Sequence, residues 1–309
     1  MEPVWGFDLL LRGLIPGLLA LYLFSYFDGS PSSGRRYSKR VTHWTGWRWF
    51  WTKVLQLPLG EVHAEAFEEE VTRKKAKDGV EPRQFIFGGH PHGVSSLHHM
   101  GLMLCPPVCA PGLEFERISP GSGRRDLAAS ILFLIPGWRD LVLASGGVDA
   151  GRSTAKRMLK EGMSLGIMIG GEQEQLLSQA GQHLAYIEHR KGFIKLALVN
   201  GVPIVPCWCF GETDLFEQSR SFFKLRQWVV KHLGVAITLG RGRPGLPFLP
   251  KPGVKLVQHV GRPIWVEKTA EPTQEQIDAL HSKYKEGLIA VFDANKAKHG
   301  CANATLELV

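Results

Sequence analysis

The sequence predicts an α/β fold, and two observations carry that prediction. Short β-rich apolar runs alternate with longer amphipathic stretches, the pattern of strands covered by helices. Two of those runs, Phe85–Phe87 and Ser164–Ile169, end in glycine pairs and then deliver ionisable side chains. His90 and His92 follow Gly88-Gly89, and Glu172 and Glu174 follow Gly170-Gly171. Functional groups collect at the carboxyl ends of strands in such sheets. Two of these ends side by side would bring an imidazole to a carboxylate.

Composition narrows the class. With 44% hydrophobic and 21% charged residues over 309 positions, the chain can bury a core and is not disordered. The net charge of +8 points to anionic partners. Nine tryptophans and sixteen phenylalanines favour a lipid surface over nucleic acid. The five cysteines lack zinc-knuckle spacing, so they are expected to be reduced thiols and no metal site is assigned to them.

Leu9–Phe27 is apolar except for Arg12, glycines and Ser25. Its uninterrupted part, Gly13–Phe27, is fifteen residues long, short of the roughly 20 that span a bilayer. Arg12 snorkelling would lengthen it, and Pro16 would bend it into a re-entrant wedge. A buried helix and a cleaved leader are the alternatives; the latter lacks a basic start. The expectation is a membrane-embedded segment and loop over 1–34. Arg35, Arg36, Lys39 and Arg40 follow and would hold a domain over 35–309 on the cytosolic side. Trp44, Trp47, Trp49, Phe50 and Trp51 then form an aromatic cluster suited to the membrane interface.

Further elements follow in order. Glu61–Lys77 predicts a charged amphipathic helix, and Val94–Leu113 a helix broken at Pro106-Pro107. Leu127–Ile135 predicts a second apolar helix, Leu141–Ser145 a strand and Ser153–Glu161 a basic helix. A helix runs from near His189 to Asn200, and a strand from Val202 through Phe210 to Gly211-Glu212. Residues 240–247 form a loop, Val254–Val260 and Ile264–Val266 a strand pair, and Pro272-Thr273 starts a helix to about Lys298.

The chemistry concentrates in His90-Pro91-His92-Gly93. The glycines before it allow unusual dihedrals, and Pro91 fixes its own φ and drives His90 to an extended form. Gly93 leaves room for close approach. The turn presents histidines, the side chains most easily tuned to take a proton near neutrality. Two solvated histidines on a turn are the plain alternative. Amides opening the next helix could host developing negative charge. Glu174 either orients an imidazole or caps a helix, and spacing leaves both open. Arg190, Lys191 and Lys195 are candidates for gripping phosphates, or ordinary helix surface charge. No dinucleotide fingerprint or phosphate-binding P-loop occurs. A rival reading takes His90, His92, His98 and His99 as ligands of a metal-dependent hydrolase. A non-catalytic lipid-surface protein is the third.

Taken in order, these blocks resemble the type-2 diacylglycerol acyltransferases and their monoacylglycerol and wax-alcohol relatives. The resemblance rests on Phe87–Gly93, Arg139-Asp140, Ser145–Val148 through Arg152, and Gly170–Glu174. Arg190–Ala197, Val205-Pro206 through Glu212, Val260–Ile264 and the helix with His281, Tyr284 and Phe292 continue it. It departs at Glu172, where the family has a small apolar residue, and at Thr213, where it has Asn. The wider superfamily's Asp four residues after its histidine is replaced by Ser96 or Val94. The resemblance implies a glycerolipid-acyltransferase-like mixed sheet flanked by helices, with an N-terminal membrane-embedded segment. It implies acyl transfer from acyl-CoA, a co-substrate with no other cofactor, to diacylglycerol. Monoacylglycerol and long-chain alcohols are the other acceptors. His92 would be the general base, oriented by Glu174, with His90 shaping the turn or assisting and Gly93 and Pro91 forming the oxyanion turn. Arg190, Lys191, Arg241 and Arg243 would contact the CoA phosphates. The implied setting is the endoplasmic reticulum membrane and the lipid-droplet surface, with no nucleic acid; a homo-oligomer stays open.

Overall fold

The computed structural model describes residues 14–309. In chain order the main elements are α1 (Ile15–Phe24), β1 (Glu61–His63), α2 (Glu65–Asp78), β2 (Ile86–His90) and β3 (Arg124–Ala128). Then come α3 (Trp138–Ala144), β4 (Gly147–Asp149), α4 (Arg152–Lys160), β5 (Ser164–Met168), α5 (Gly171–Leu177) and α6 (Gly192–Asn200). The last are β6 (Ile204–Phe210), α7 (Phe223–Leu233), β7 (Val257–Val260) and α8 (Gln274–Asn295). The strands make one mixed sheet in the order β1-β7-β6-β2-β5-β3-β4. Within this sheet, among the described residues, only β6 and β7 pair antiparallel. The expected mixed sheet flanked by helices is therefore present.

Side chains alternate across the pleat and build a core on each face. Phe85, Phe87, Val205, Cys207 and Cys209 pack on one side with Phe67 and Phe115. Ile86, Ile204, Trp208 and Phe210 pack on the other against Tyr284, Leu288 and Phe292 of α8. Thr273 and Gln276 close a reciprocal capping box that starts α8 where the sequence places it.

Gly88 and Gly89 work differently from the expectation. Neither has positive φ; both are strand residues whose missing side chains make space. A Cβ at Gly88 would lie 2.3 Å from the Tyr284 hydroxyl and 2.5 Å from Ile169 Cδ1. That hydroxyl donates to the Gly88 carbonyl at 3.1 Å, drawing α8 onto β2. Gly88→Ala is expected to cost about 1–3 kcal/mol by overpacking, measurable as a lower denaturation midpoint. An unchanged midpoint would mean that α8 is not held at this crossing.

Several expected elements are redrawn. Glu61–His63 is a strand rather than helix, because buried Val62 pairs with Gln258 of β7. Val94–Leu113 is not a helix: it keeps one wide turn over His99–Met103 and a tight turn at Pro106–Val108, where two prolines remove donors. Leu127–Ile135 is the end of β3 followed by a tight turn over Ser130–Phe133. Leu141–Ala144 belongs to a helix, α3, which Ser145 caps and whose Arg139 and Asp140 tie it to the N-terminal segment. Ile264 makes a single bridge to Ile204 in place of the expected strand pair.

Of the expected membrane segment, residues 9–13 lie outside the described part. The rest is α1 and a short turn to Phe27, with Leu18, Leu21, Phe24 and Phe27 exposed. No helix among the described residues is long and apolar enough to cross a membrane. The segment is anchored by polar contacts: the Tyr22 hydroxyl donates to Asp140 at 2.6 Å, and Arg36 pairs with Asp28 and Asp140. The aromatic cluster divides, with Trp44 and Trp49 exposed and Trp51 buried with its indole N–H on the Pro58 carbonyl.

Candidate active site

The register of three parallel strands assembles the site. Gly89 of β2 lies beside Met168 of β5 and Cys207 of β6, so the carboxyl ends of β2 and β5 coincide while β6 runs on to Phe210. From β2 comes His90, fully buried, followed by a cis His90–Pro91 bond and His92. From β5 comes α5, whose Glu174 is also buried. The predicted meeting of imidazole and carboxylate therefore occurs, but with a different ring. Glu174 Oε2 lies 2.8 Å from His90 Nδ1, while Oε1 accepts the His92 backbone N–H at 2.6 Å. Oε2 also accepts the Tyr186 N–H at 2.7 Å. One carboxylate thus holds the turn by ring, amide and neighbouring loop. The expectation that it would bond the His92 imidazole is corrected: that ring leaves the turn toward a cavity.

His92 Nδ1 lies 3.2 Å from the carbonyl of Gly93. A carbonyl only accepts, so Nδ1 carries the proton and Nε2 is left with its lone pair. Burial holds the His92 pKa below the usual histidine value, and Glu174 opposes this more weakly. At neutral pH the ring is therefore an unprotonated base.

A third strand end completes the frame. After β6, Gly211 leads to buried Glu212, whose two carboxyl oxygens accept the N–H groups of Leu97 and His98 at 3.0 and 2.8 Å. Burial pushes this carboxyl up to about 8. Gly93, at φ +63°, lets the carboxyl approach, since a Cβ there would lie 2.5 Å from it. The amides expected to host developing charge are thus already occupied. His98 is buried with Nε2 2.9 Å from the Pro91 carbonyl and Nδ1 2.8 Å from the Gln258 amide. The Gln258 atom is Oε1, so both ring nitrogens face oxygen acceptors and the neutral ring donates to one of them. Burial pushes His98 down to about 3.

Against these residues lies a largely apolar cavity of about 840 Å³. His92, Ser95, Ser96 and His99 line one wall; Arg152, Glu172, His189, Arg190 and Lys191 also face it. Arg190 donates to the Gly170 carbonyl at 3.0 Å and stacks over Tyr186, and Lys191 pairs with Asp278 at 2.6 Å.

The sequence of the chain matches the profile of the Diacylglycerol acyltransferase family over residues 12–309. The chain belongs to that family. The family member from Eremothecium gossypii named Diacylglycerol O-acyltransferase 1 is 35% identical over 77% of this chain and 52% of its own length. Human Diacylglycerol O-acyltransferase 2 is 30% identical over 92% of this chain and 72% of its own. Mouse 2-acylglycerol O-acyltransferase 1 is 32% identical over 85% and 79%. The chain thus spans about half of the fungal relative and nearer three quarters of the animal ones. A solved 1-acyl-sn-glycerophosphate acyltransferase from Thermotoga maritima overlays with a TM-score of 0.44 at 14% identity, covering 89% of this chain and 88% of its own.

In this family member the predicted residues divide. His90, Pro91, His92, Gly93 and Glu174 come together, and Arg190 and Lys191 reach the same cavity. Arg241 and Arg243 do not line it. Arg243 donates to the Val54 and Leu55 carbonyls, bracing that loop. His90, His98 and His99 face Glu174, Gln258 and Asp126 respectively and do not converge with His92. Glu212 was missed, although Phe210-Gly211-Glu212 repeats the pattern of a strand ending in glycine before an acid.

Proposed function

We propose that this acyltransferase moves a fatty acyl group from acyl-CoA to the free hydroxyl of diacylglycerol, forming triacylglycerol. The observation that carries the reading is His92: a neutral imidazole with Nδ1 engaged and Nε2 free at the wall of a large apolar cavity. Nε2 takes the proton of the acceptor hydroxyl as the oxygen attacks the thioester carbonyl. The C–S bond breaks, and the imidazolium returns the proton to the departing CoA thiolate. Glu174 positions His92 through its backbone and fixes His90 beside it. The Gly93 amide is the proposed oxyanion donor, ahead of the pair held by Glu212. Arg190 and Lys191, with Arg152 and His189 nearby, are the proposed contacts for CoA phosphates. The reading sets the chain at the endoplasmic reticulum membrane with its catalytic part in the cytosol, and at lipid droplets.

The test offers labelled acyl-CoA and competing diacylglycerol, monoacylglycerol and long-chain alcohol to membranes bearing the chain. Label is expected mainly in triacylglycerol with matching release of free CoA. Label mainly in diacylglycerol or wax ester would overturn the acceptor, and absent CoA release the whole reading.

Glu212 gives a separate prediction. Glu212→Gln leaves a backbone N–H of Leu97 or His98 facing an amide NH2 instead of an oxygen. One buried unsatisfied donor costs about 1–3 kcal/mol, expected as a lower unfolding midpoint in denaturant. No change would mean that the Leu97–His98 turn does not depend on this carboxyl group.

A further inference from the structure

Helix α7 and the loop that follows it are built inside out. Arg226 is turned inward, 3% exposed, where it donates to the Ile237, Ser219 and Ser221 carbonyls. Leu225, Trp228 and Leu233 are turned outward at 60%, 55% and 66% exposure. Leu225 and Trp228 are three apart and share a face. Phe222, at 75%, precedes the helix with φ +54°, a conformation that a bulky side chain rarely adopts. Ile237, Leu246 and Phe248, the last at 73%, are exposed apolar residues of the chain that follows the helix. A helix that buries Arg226 while exposing Leu225, Trp228 and Leu233 does not present a surface built for water alone.

Charge indicates what covers it. Residues 218–266 hold nine lysines and arginines and not one aspartate or glutamate, against a net charge of +8 for the whole chain. Lys251, Lys255 and Arg262 pair with Glu217, Glu61 and Glu69. Arg241 sits across from Glu217, but among the described residues Arg220, Lys224 and Lys231 make no ion pair with a carboxylate, and Lys224 and Lys231 lie a turn to either side of Trp228. Aromatic rings between unpaired basic side chains suit the headgroup region of an anionic leaflet. The helix also runs directly into Gly234, Val235 and Ala236, which line the cavity of His92. Ile131, Ile135 and Trp138 line the same cavity and are themselves exposed.

We infer that α7 and the Phe248 loop form a docking surface for the anionic face of a phospholipid bilayer. The bound surface sets the cavity mouth at headgroup level, so that an acceptor lipid enters from the leaflet without crossing water. The inference rests on the acyl-transfer reading for its purpose.

The test uses the full chain with Leu225→Cys carrying an environment-sensitive fluorophore, compared with the unsubstituted chain carried through the same labelling. Emission is expected to rise several-fold with vesicles of phosphatidylcholine plus phosphatidylserine, less with phosphatidylcholine alone, and to be quenched by brominated acyl chains. Lys224→Gln with Lys231→Gln is expected to weaken partitioning onto the mixed vesicles roughly 30-fold, each lost charge near the surface removing several-fold. An unchanged label on a chain that floats with the vesicles would overturn the inference, since another segment would then hold the chain. A concentration-dependent change without vesicles would also overturn it, assigning the face to a second copy. The fluorescence needs no turnover. A chain that inserts Leu225 but transfers no acyl group overturns the catalytic reading alone, and active transfer with an unchanged label overturns this one alone.

Discussion

Replacing His92 with alanine lowers acyl transfer about 10²–10⁴-fold, the usual contribution of a positioned general base, and leaves the chain folded. The separation of the two effects follows from the geometry. The ring is half-buried at the cavity wall and its one hydrogen bond is to the adjacent Gly93 carbonyl at 3.2 Å. Removing it strands no distant buried partner. His90 differs: it lies fully inside, and its loss would leave Glu174 short of a donor. His92→Ala is therefore expected to lower kcat with little change in KM for acyl-CoA and to melt with the parent chain. A folded and fully active His92→Ala enzyme would sink the assignment. The pH profile gives an independent check. Burial lowers the His92 pKa from 6.5, so the ring keeps its lone pair at neutrality. Activity should hold a plateau from neutral pH to below 6.5 and then fall as the ring takes a proton. An acid limb at or above 6.5 would mean that desolvation does not control this group.

How far the site was legible depended on whether a side chain's neighbours lay in its own segment. The ends of β2 and β5 were legible because glycine followed by an ionisable residue marks a strand end whatever lies around it. The α8 start was legible for a similar reason, since Thr273 and Gln276 cap within four residues. Strand β3 was not, because its core positions include Arg124, Arg125 and Asp126. Arg124 is buried against the Ser119 and Met103 carbonyls and Asp126, and Arg125 against the Gly34 and Gly121 carbonyls. Helix α7 was equally hidden, since Arg226 faces in and Leu225 and Trp228 face out, so no apolar stripe points to the core. The same limit misplaced Glu174. Spacing brings it to the His-Pro-His turn, but which ring meets it depends on the path of the chain through Pro91.

That placement leads to the second large effect. Glu174→Ala leaves the His90 Nδ1–H, the His92 N–H and the Tyr186 N–H without their acceptor in a buried site. Each stranded donor costs about 1–3 kcal/mol, so a large fall in the unfolding midpoint is expected together with loss of activity. A fall in both does not separate a positioning role from a merely structural one. Glu174→Gln does: it keeps the shape and one acceptor oxygen, and is expected to fold at reduced temperature with kcat lowered more than KM is raised. The decisive comparison is the double variant. If Glu174 acts by holding the His92 turn, its change has little further effect once the His92 ring is gone, because the two then form one unit and their losses do not multiply. Fully multiplying losses in Glu174→Gln/His92→Ala would show that Glu174 contributes by a route that does not pass through His92. The buried His90 would then be the group through which it acts.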